Sequence, residues 1–267
     1  MNNKYIMQIQ NLSYKKVLTN LSMNIEKGQF IAVSGSNNSG KTTFIKLISG
    51  LIPCENMIII NDSYIETINK NTLFNIEGIV LLNDKINFIL NTVYDEIMLV
   101  LDNLNLPETE KFSRYREIVK LLDLKSYEKI NPNSLNRTNK IKVLLALAII
   151  HKPQILLLDD LCLMMTKKEK NNILSILKLL NEKDNMTIIM ATGSLEETIT
   201  CDYLYILDKG KIVIKGKPLE ILKDDNIINR LGLEIPFMFD LSVKLKDYNL
   251  LDDVILDMDG MVNTLWK

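Results

Sequence analysis

The chain contains a single histidine, His151, among 267 residues. A metal site built from several imidazoles is therefore excluded, and any chemistry must rest on other residue types. Cysteine is nearly as scarce. Cys54, Cys162 and Cys201 are an odd number without CxxC spacing, which argues against a zinc ribbon or a disulfide framework and suits a reducing cytosol. Long hydrophobic runs are missing too: the longest aliphatic stretch, residues 143–150, falls far short of the ~18 residues a membrane span needs. The opening MNNKYIMQIQ has no apolar run behind a basic head, so neither a signal peptide nor a span is expected there. With a formal net charge of −1, the chain lacks the basic excess of a nucleic-acid binder. Residues 224–267 carry nine acids against four bases, which points further from polyanions, and no nucleic-acid partner is expected.

What is present suits a packed globular protein. Hydrophobic residues make up 47% of the chain, and the length fits one medium domain or a domain with an appendage. Short aliphatic runs at residues 30–33, 57–60, 79–82, 155–158, 187–190, 204–207 and 212–214 read as strands. Between them lie helical spacings, such as Phe112, Tyr115, Val119 and Leu122, or Ile173, Ile176, Leu177 and Leu180. This alternation predicts an α/β fold. Asp208-Lys209-Gly210-Lys211 separates two aliphatic runs and reads as a hairpin turn, which adds antiparallel strands near the end. Residues from about 91 to 130 show helical periodicity without a strand, which predicts an inserted helical subdomain reaching to about residue 150. Beyond a body of residues 1–223, the segment 224–267 is too short for an independent core and is expected to be a helical appendage.

Gly35-Ser36-Asn37-Asn38-Ser39-Gly40-Lys41-Thr42 matches a P-loop, set between a strand and a helix-compatible run at residues 43–51. Closing backbone amides around a triphosphate requires glycine where a Cβ would block the approach, and the helix start adds positive potential. Lys41 is expected to reach the β- and γ-phosphates and the Thr42 hydroxyl to ligate Mg²⁺. Residues 155–158 are four aliphatics ending in Asp159, which suits a central strand that delivers a carboxylate to the same Mg²⁺.

These motifs, with IQNLSYKKVLTNLSMNIEKGQF ahead of the P-loop, LALAIIHKPQILLLDDL and YLYILDKGKIVIKGKPLEIL, resemble the ATP-binding subunits of ABC transporters. The resemblance implies a P-loop NTPase fold with a mixed sheet flanked by helices, and ATP with Mg²⁺ held by the loop from Gly35 through Thr43. The tail segments GLEIPFMFDLSVKLKDYNLL and MVNTLWK resemble the C-terminal extension of energy-coupling factor (ECF) transporter ATPases, importers of vitamins and transition-metal ions. The expected partners are a second ABC ATPase, a membrane coupling subunit and a substrate-capture subunit, and the expected location is peripheral, at the cytoplasmic face of the membrane. A dimerising role is implied for residues 224–267. The different-class alternative is a nucleotide-responsive scaffold that keeps the fold without transport.

Against that family the chain departs at several positions. Asp160 stands where the family has the glutamate that activates water, and Gly193 where it has the switch histidine. Leu82 replaces the Q-loop glutamine, and Leu135-Asn136-Arg137-Thr138-Asn139 replaces the LSGGQ signature that reaches a partner's γ-phosphate. In this last segment, either Arg137 contacts phosphate or Thr138 caps the helix. Thr166 stands where an aspartate would signal across the dimer. Tyr14, or Lys16 in the neighbouring register, falls at the adenine-stacking position. His151 is expected as a surface residue at a helix end. Nucleotide binding should therefore survive, with hydrolysis by this chain's own site weak or absent.

Overall fold

The computed structural model describes residues 4–81 and 87–265. In chain order it contains β1 (Tyr5–Tyr14), β2 (Leu18–Glu26), β3 (Phe30–Ser34), α1 (Lys41–Ile48), β4 (Ile58–Ile60), β5 (Ser63–Tyr64), α2 (Lys70–Ile76) and β6 (Glu77–Leu81). Three helices follow: α3 (Val93–Asp102), α4 (Glu108–Leu121) and α5 (Arg137–Ile149). The chain then returns to the sheet through β7 (Ile155–Asp159), α6 (Lys167–Asp184), β8 (Thr187–Thr192), α7 (Leu195–Thr198), β9 (Tyr203–Asp208) and β10 (Lys211–Gly216). It closes with α8 (Pro218–Ile221), α9 (Asp225–Arg230), α10 (Phe237–Asp247) and α11 (Met258–Leu265).

Two sheets result. The larger has strand order β10-β9-β3-β8-β7-β6 and the smaller β2-β1-β4-β5. Strands β6, β7, β8, β3 and β9 run parallel, and β10 pairs antiparallel with β9 through the turn at Gly210. Parallel strands covered on both faces show no polar alternation. Accordingly every residue of β3, β7 and β8 is buried.

The two-residue side-chain period divides the core between the faces. Ile31, Val33, Ile155, Leu157, Ile189 and Ala191 face α1 and the smaller sheet. Phe30, Ala32, Leu156, Leu158, Ile188 and Met190 face the opposite way, into the cluster built on α3 to α6. A third, small cluster of Met238, Leu251 and Met261 lies within the C-terminal helices. These helices are also tied to the main body, because Ile228, Leu233 and Phe239 belong to the α3–α6 cluster. Among the described residues no helix is long and apolar enough to cross a membrane.

Candidate functional site

The functional groups gather at the carboxyl ends of β3, β7 and β8, where a parallel sheet opens a crevice. Residues 35–40 bridge β3 and α1. Gly35 has φ +152°, and a Cβ there would lie 2.2 Å from the Leu207 carbonyl oxygen, so no other residue fits. Lys41 is buried, and its Nζ donates to the carbonyls of Gly35 at 2.6 Å and Ser36 at 3.0 Å. An ammonium has three donors, which leaves one for an anion. Burial pulls the Lys41 ammonium below its ordinary value, opposed by the nearby Asp160 and Asp159 carboxylates. The first turn of α1 contains no acid to neutralise its free amides. The loop is therefore an anion cradle.

Asp159, the last residue of β7, is 5% exposed, and its Oδ1 has no hydrogen-bond partner. Burial pushes its carboxyl above the ordinary value, opposed by the nearby Thr42 hydroxyl. A buried acid with one orphaned oxygen beside a hydroxyl is a donor set for a small hard cation, and Mg²⁺ fits it. A cleft of about 660 Å³ opens in front of these groups, lined by Val17, residues 37–43 and Asp160.

Asp160 has φ +48°, a left-handed conformation that Asp and Asn tolerate better than most residues. Its amide donates to the Ala191 carbonyl at 2.9 Å, and its Oδ1 accepts the Gly193 N–H at 3.2 Å. Gly193 itself faces open space, with nothing within 4 Å of where a Cβ would stand.

Residues 18–162 match the ABC transporter family. A curated relative, the energy-coupling factor transporter ATP-binding protein EcfA1 of Lactobacillus delbrueckii subsp. bulgaricus, is 32% identical over 96% of this chain and 92% of its own. The EcfA protein of Pediococcus pentosaceus is 30% identical over 97% of this chain and 95% of its own. The chain belongs to the ABC transporter family. Among solved structures, cbiO1 of Clostridium perfringens, part of the ABC transporter complex cbiONQ, superimposes with a TM-score of 0.76 at 23% identity, covering 88% of this chain and 97% of that one. That likeness carries the fold.

The remaining ABC positions are placed as follows. Asn136, not Thr138, caps α5: its side chain accepts the Asn139 N–H at 2.9 Å. Expecting Thr138 as the cap put the helix start two residues late. The Asn139 amide is thereby satisfied internally and is less available to a phosphate. Arg137 is half-buried with an unpartnered Nε. Thr138 follows in the first turn of α5 and is half-buried.

Tyr14 ends β1 and packs partly against the core face shared with α1. Lys15 Nζ lies 5.1 Å over its ring, and Val17, rather than Tyr14, lines the cleft. Nothing in the local sequence marks Val17 for that place, because the β1–β2 turn that presents it is closed by a single Val17-to-Tyr14 backbone bond of 3.1 Å. Leu82 lies outside the described residues.

His151 is not a surface residue. It is 9% exposed, its ring stacks on Phe74 with centroids 4.8 Å apart, and Nε2 lies 3.1 Å from the Glu77 carbonyl oxygen. Helix α2 covers it, a contact that helix-end reasoning could not foresee. It sits at the amino end of the sheet, remote from Asp159. Burial holds its imidazole below the ordinary value.

Proposed function

We propose that this chain is an ATP-binding subunit of an ECF-type importer, pairing with a second, more complete ABC ATPase. The pair would dock on a membrane coupling subunit at the cytoplasmic face, beside a subunit that captures a vitamin or metal ion. Gly35 to Thr43 bind the triphosphate, Lys41 supplies the charge, and Thr42 with Asp159 hold Mg²⁺. Tyr14 or Val17 meets the base. The likeness to EcfA1 over nearly the whole chain supports the assignment of partners. Phe237 of α10, and Tyr248 and Leu250 just beyond that helix, are more than half exposed, which supports a dimerising role for the segment 224–267.

One observation carries the functional reading: the Asp160 carboxylate is engaged by a backbone amide at a position that has no side chain. A water-activating carboxylate must reach the attacking water, and a misplacement near 1 Å costs on the order of a hundredfold. Asp160 is one methylene shorter than Glu, and Gly193 offers no imidazole to the γ-phosphate. Binding rests on loop amides, Lys41 and Mg²⁺, so it survives where cleavage does not. The isolated chain should bind labelled ATP with Mg²⁺ saturably and turn it over negligibly. Robust Mg-ATPase activity from the isolated chain would overturn the weak-hydrolysis reading. Purification from membranes should yield a second ATPase and a membrane coupling subunit; their absence favours the scaffold reading.

A further inference from the structure

Behind the cleft, side chains from α6, α7 and β8 meet in a network that the nucleotide cradle does not use. Glu197 of α7 is 3% exposed, and its two carboxylate oxygens are separately engaged. Oε1 lies 3.1 Å from Lys170 Nζ of α6, while Oε2 accepts from the Thr192 hydroxyl at 2.7 Å. The same Thr192 oxygen accepts the Ser194 N–H at 3.0 Å. Thr192 and Ser194 flank Gly193, so one hydroxyl, itself oriented by Glu197, ties the chain on both sides of that residue. The Gly193 N–H then donates to Asp160 Oδ1 at 3.2 Å, and Asp160 lines the cleft. Each polar link from Lys170 to Thr192 and from Gly193 to Asp160 is a direct contact.

A tie between α6 and α7 would need only the ion pair. Desolvating a carboxylate is costly, and here its second oxygen goes to the last residue of β8. The turn secured in this way presents no side chain at its tip, because nothing stands within 4 Å of where a Gly193 Cβ would be. What it offers the cleft is one main-chain N–H, aimed at a carboxylate. The Asp160 amide is also bonded to β8, donating to the Ala191 carbonyl at 2.9 Å. Backbone and side chain of Asp160 are thus both fixed to the end of β8, and only the side-chain bond can be given up without moving a strand.

We propose that Glu197 is a positioning residue: through Thr192 it keeps the Gly193 amide on the Asp160 carboxylate and so withholds that carboxylate from an attacking water. The withholding rests on the weak-hydrolysis reading above; the anchoring of Gly193 does not. Releasing the anchor frees the Asp160 side chain to turn into the cleft. Loss of a buried glutamate then raises turnover, whereas damage to the fold would lower it.

Glu197→Gln keeps the side-chain length and removes the charge that holds Thr192, while Lys170 retains Glu196 at 4.0 Å. Thr192→Val removes the hydroxyl at similar shape. In the isolated full chain, each variant should quicken hydrogen exchange at Gly193 and Ser194 about tenfold, as loss of one hydrogen bond predicts, with amides inside β7 unchanged. Thr192→Ser should keep exchange at the native level. In single-turnover assays with labelled Mg-ATP, Glu197→Gln and Thr192→Val should each raise phosphate release several-fold, and adding Asp160→Ala to either should abolish the gain. Exchange that stays native at Gly193, or that quickens throughout the chain, overturns the anchor. Phosphate release that is unchanged or lower, or a gain that survives Asp160→Ala, overturns the withholding. Robust turnover by the unaltered chain defeats the weak-hydrolysis reading and the withholding with it; exchange at Gly193 then decides the anchor alone.

Discussion

Between β3 and α1 the phosphate loop is shaped by main chain: Gly35 pressed against the Leu207 carbonyl, and Lys41 tied to the carbonyls of Gly35 and Ser36. At the ends of β7 and β8, and at the start of α5, the corresponding tasks belong to side chains, and there the chain has a short acid, a glycine and a self-capped asparagine. A backbone cradle is fixed by the fold, because changing it means refolding the strand-to-helix connection. Side-chain chemistry is carried by single residues on a frame that tolerates their replacement. Open space around Gly193 and the unstrained cap at Asn136 illustrate that tolerance. Under the reading proposed above, the part that the fold enforces is kept and the part that it does not enforce is changed.

Removing Lys41 is the hardest blow to the intact half. Lys41→Ala should weaken Mg-ATP binding about 100-fold, the upper range for a hydrogen-bonded charge, in an equilibrium titration with labelled nucleotide. An unchanged affinity would mean that amides alone hold the phosphates, and the contrast between the halves would need redrawing. Asp159→Asn should reduce the gain in ATP affinity that Mg²⁺ brings by about tenfold. In the native chain that gain should fade on acidification sooner than an ordinary aspartate allows, because burial raises the pKa of Asp159 and protons compete with the cation.

On the altered half, Asp160→Glu combined with Gly193→His should raise phosphate release by the isolated chain several-fold, less than the hundredfold that positional error alone can cost. No gain would shift the limiting defect to residues 135–139 or to the Leu82 position. The smallest effect lies at the opposite end of the sheet. Glu77 is 2% exposed with both carboxylate oxygens unpartnered, and burial pushes its pKa up to about 8 from an ordinary value of 4.5. The folded chain keeps this proton across that window while the unfolded chain releases it, so stability falls as pH rises through it. Glu77→Gln should therefore gain on the native chain by a few degrees of melting temperature between about pH 5 and about pH 8. A constant difference across that range would show that Glu77 is ionised in the folded protein.

Much of this was legible from residues alone, and the exceptions have physical causes. The seven aliphatic runs became strands β3, β4 and β6 to β10; for β3 and β6 to β9 this is because buried parallel strands need continuous apolar residues, a local signal, while β4 and β10 pair antiparallel. The strand–loop–helix setting of residues 35–42 was legible because Gly35 stands where a Cβ would meet the Leu207 carbonyl, and Asp159 as a strand end because it closes an aliphatic run. Other features are set by what packs from afar. His151 is buried under Phe74, Glu77 is buried at the junction of α2 and β6, and Val17 reaches the cleft through a turn with no motif. The cap on α5 was misplaced because Asn136 and Thr138 are both good capping residues two positions apart, and only the helix register chooses between them.

Gly210 bears on the order in which this chain can become functional. At φ +74°, its missing Cβ leaves room for the Val17 carbonyl, which would otherwise lie 1.9 Å away. Its amide donates to the Ser39 carbonyl at 3.1 Å, and its own carbonyl accepts from Thr19 at 2.8 Å. The phosphate loop is thus buttressed by a hairpin made far later in the sequence. Contacts that span so much chain form late, since loop closure must precede them. A ribosome-bound chain ending before β9 would expose an unsupported loop, so nucleotide affinity should be acquired only near the completion of synthesis.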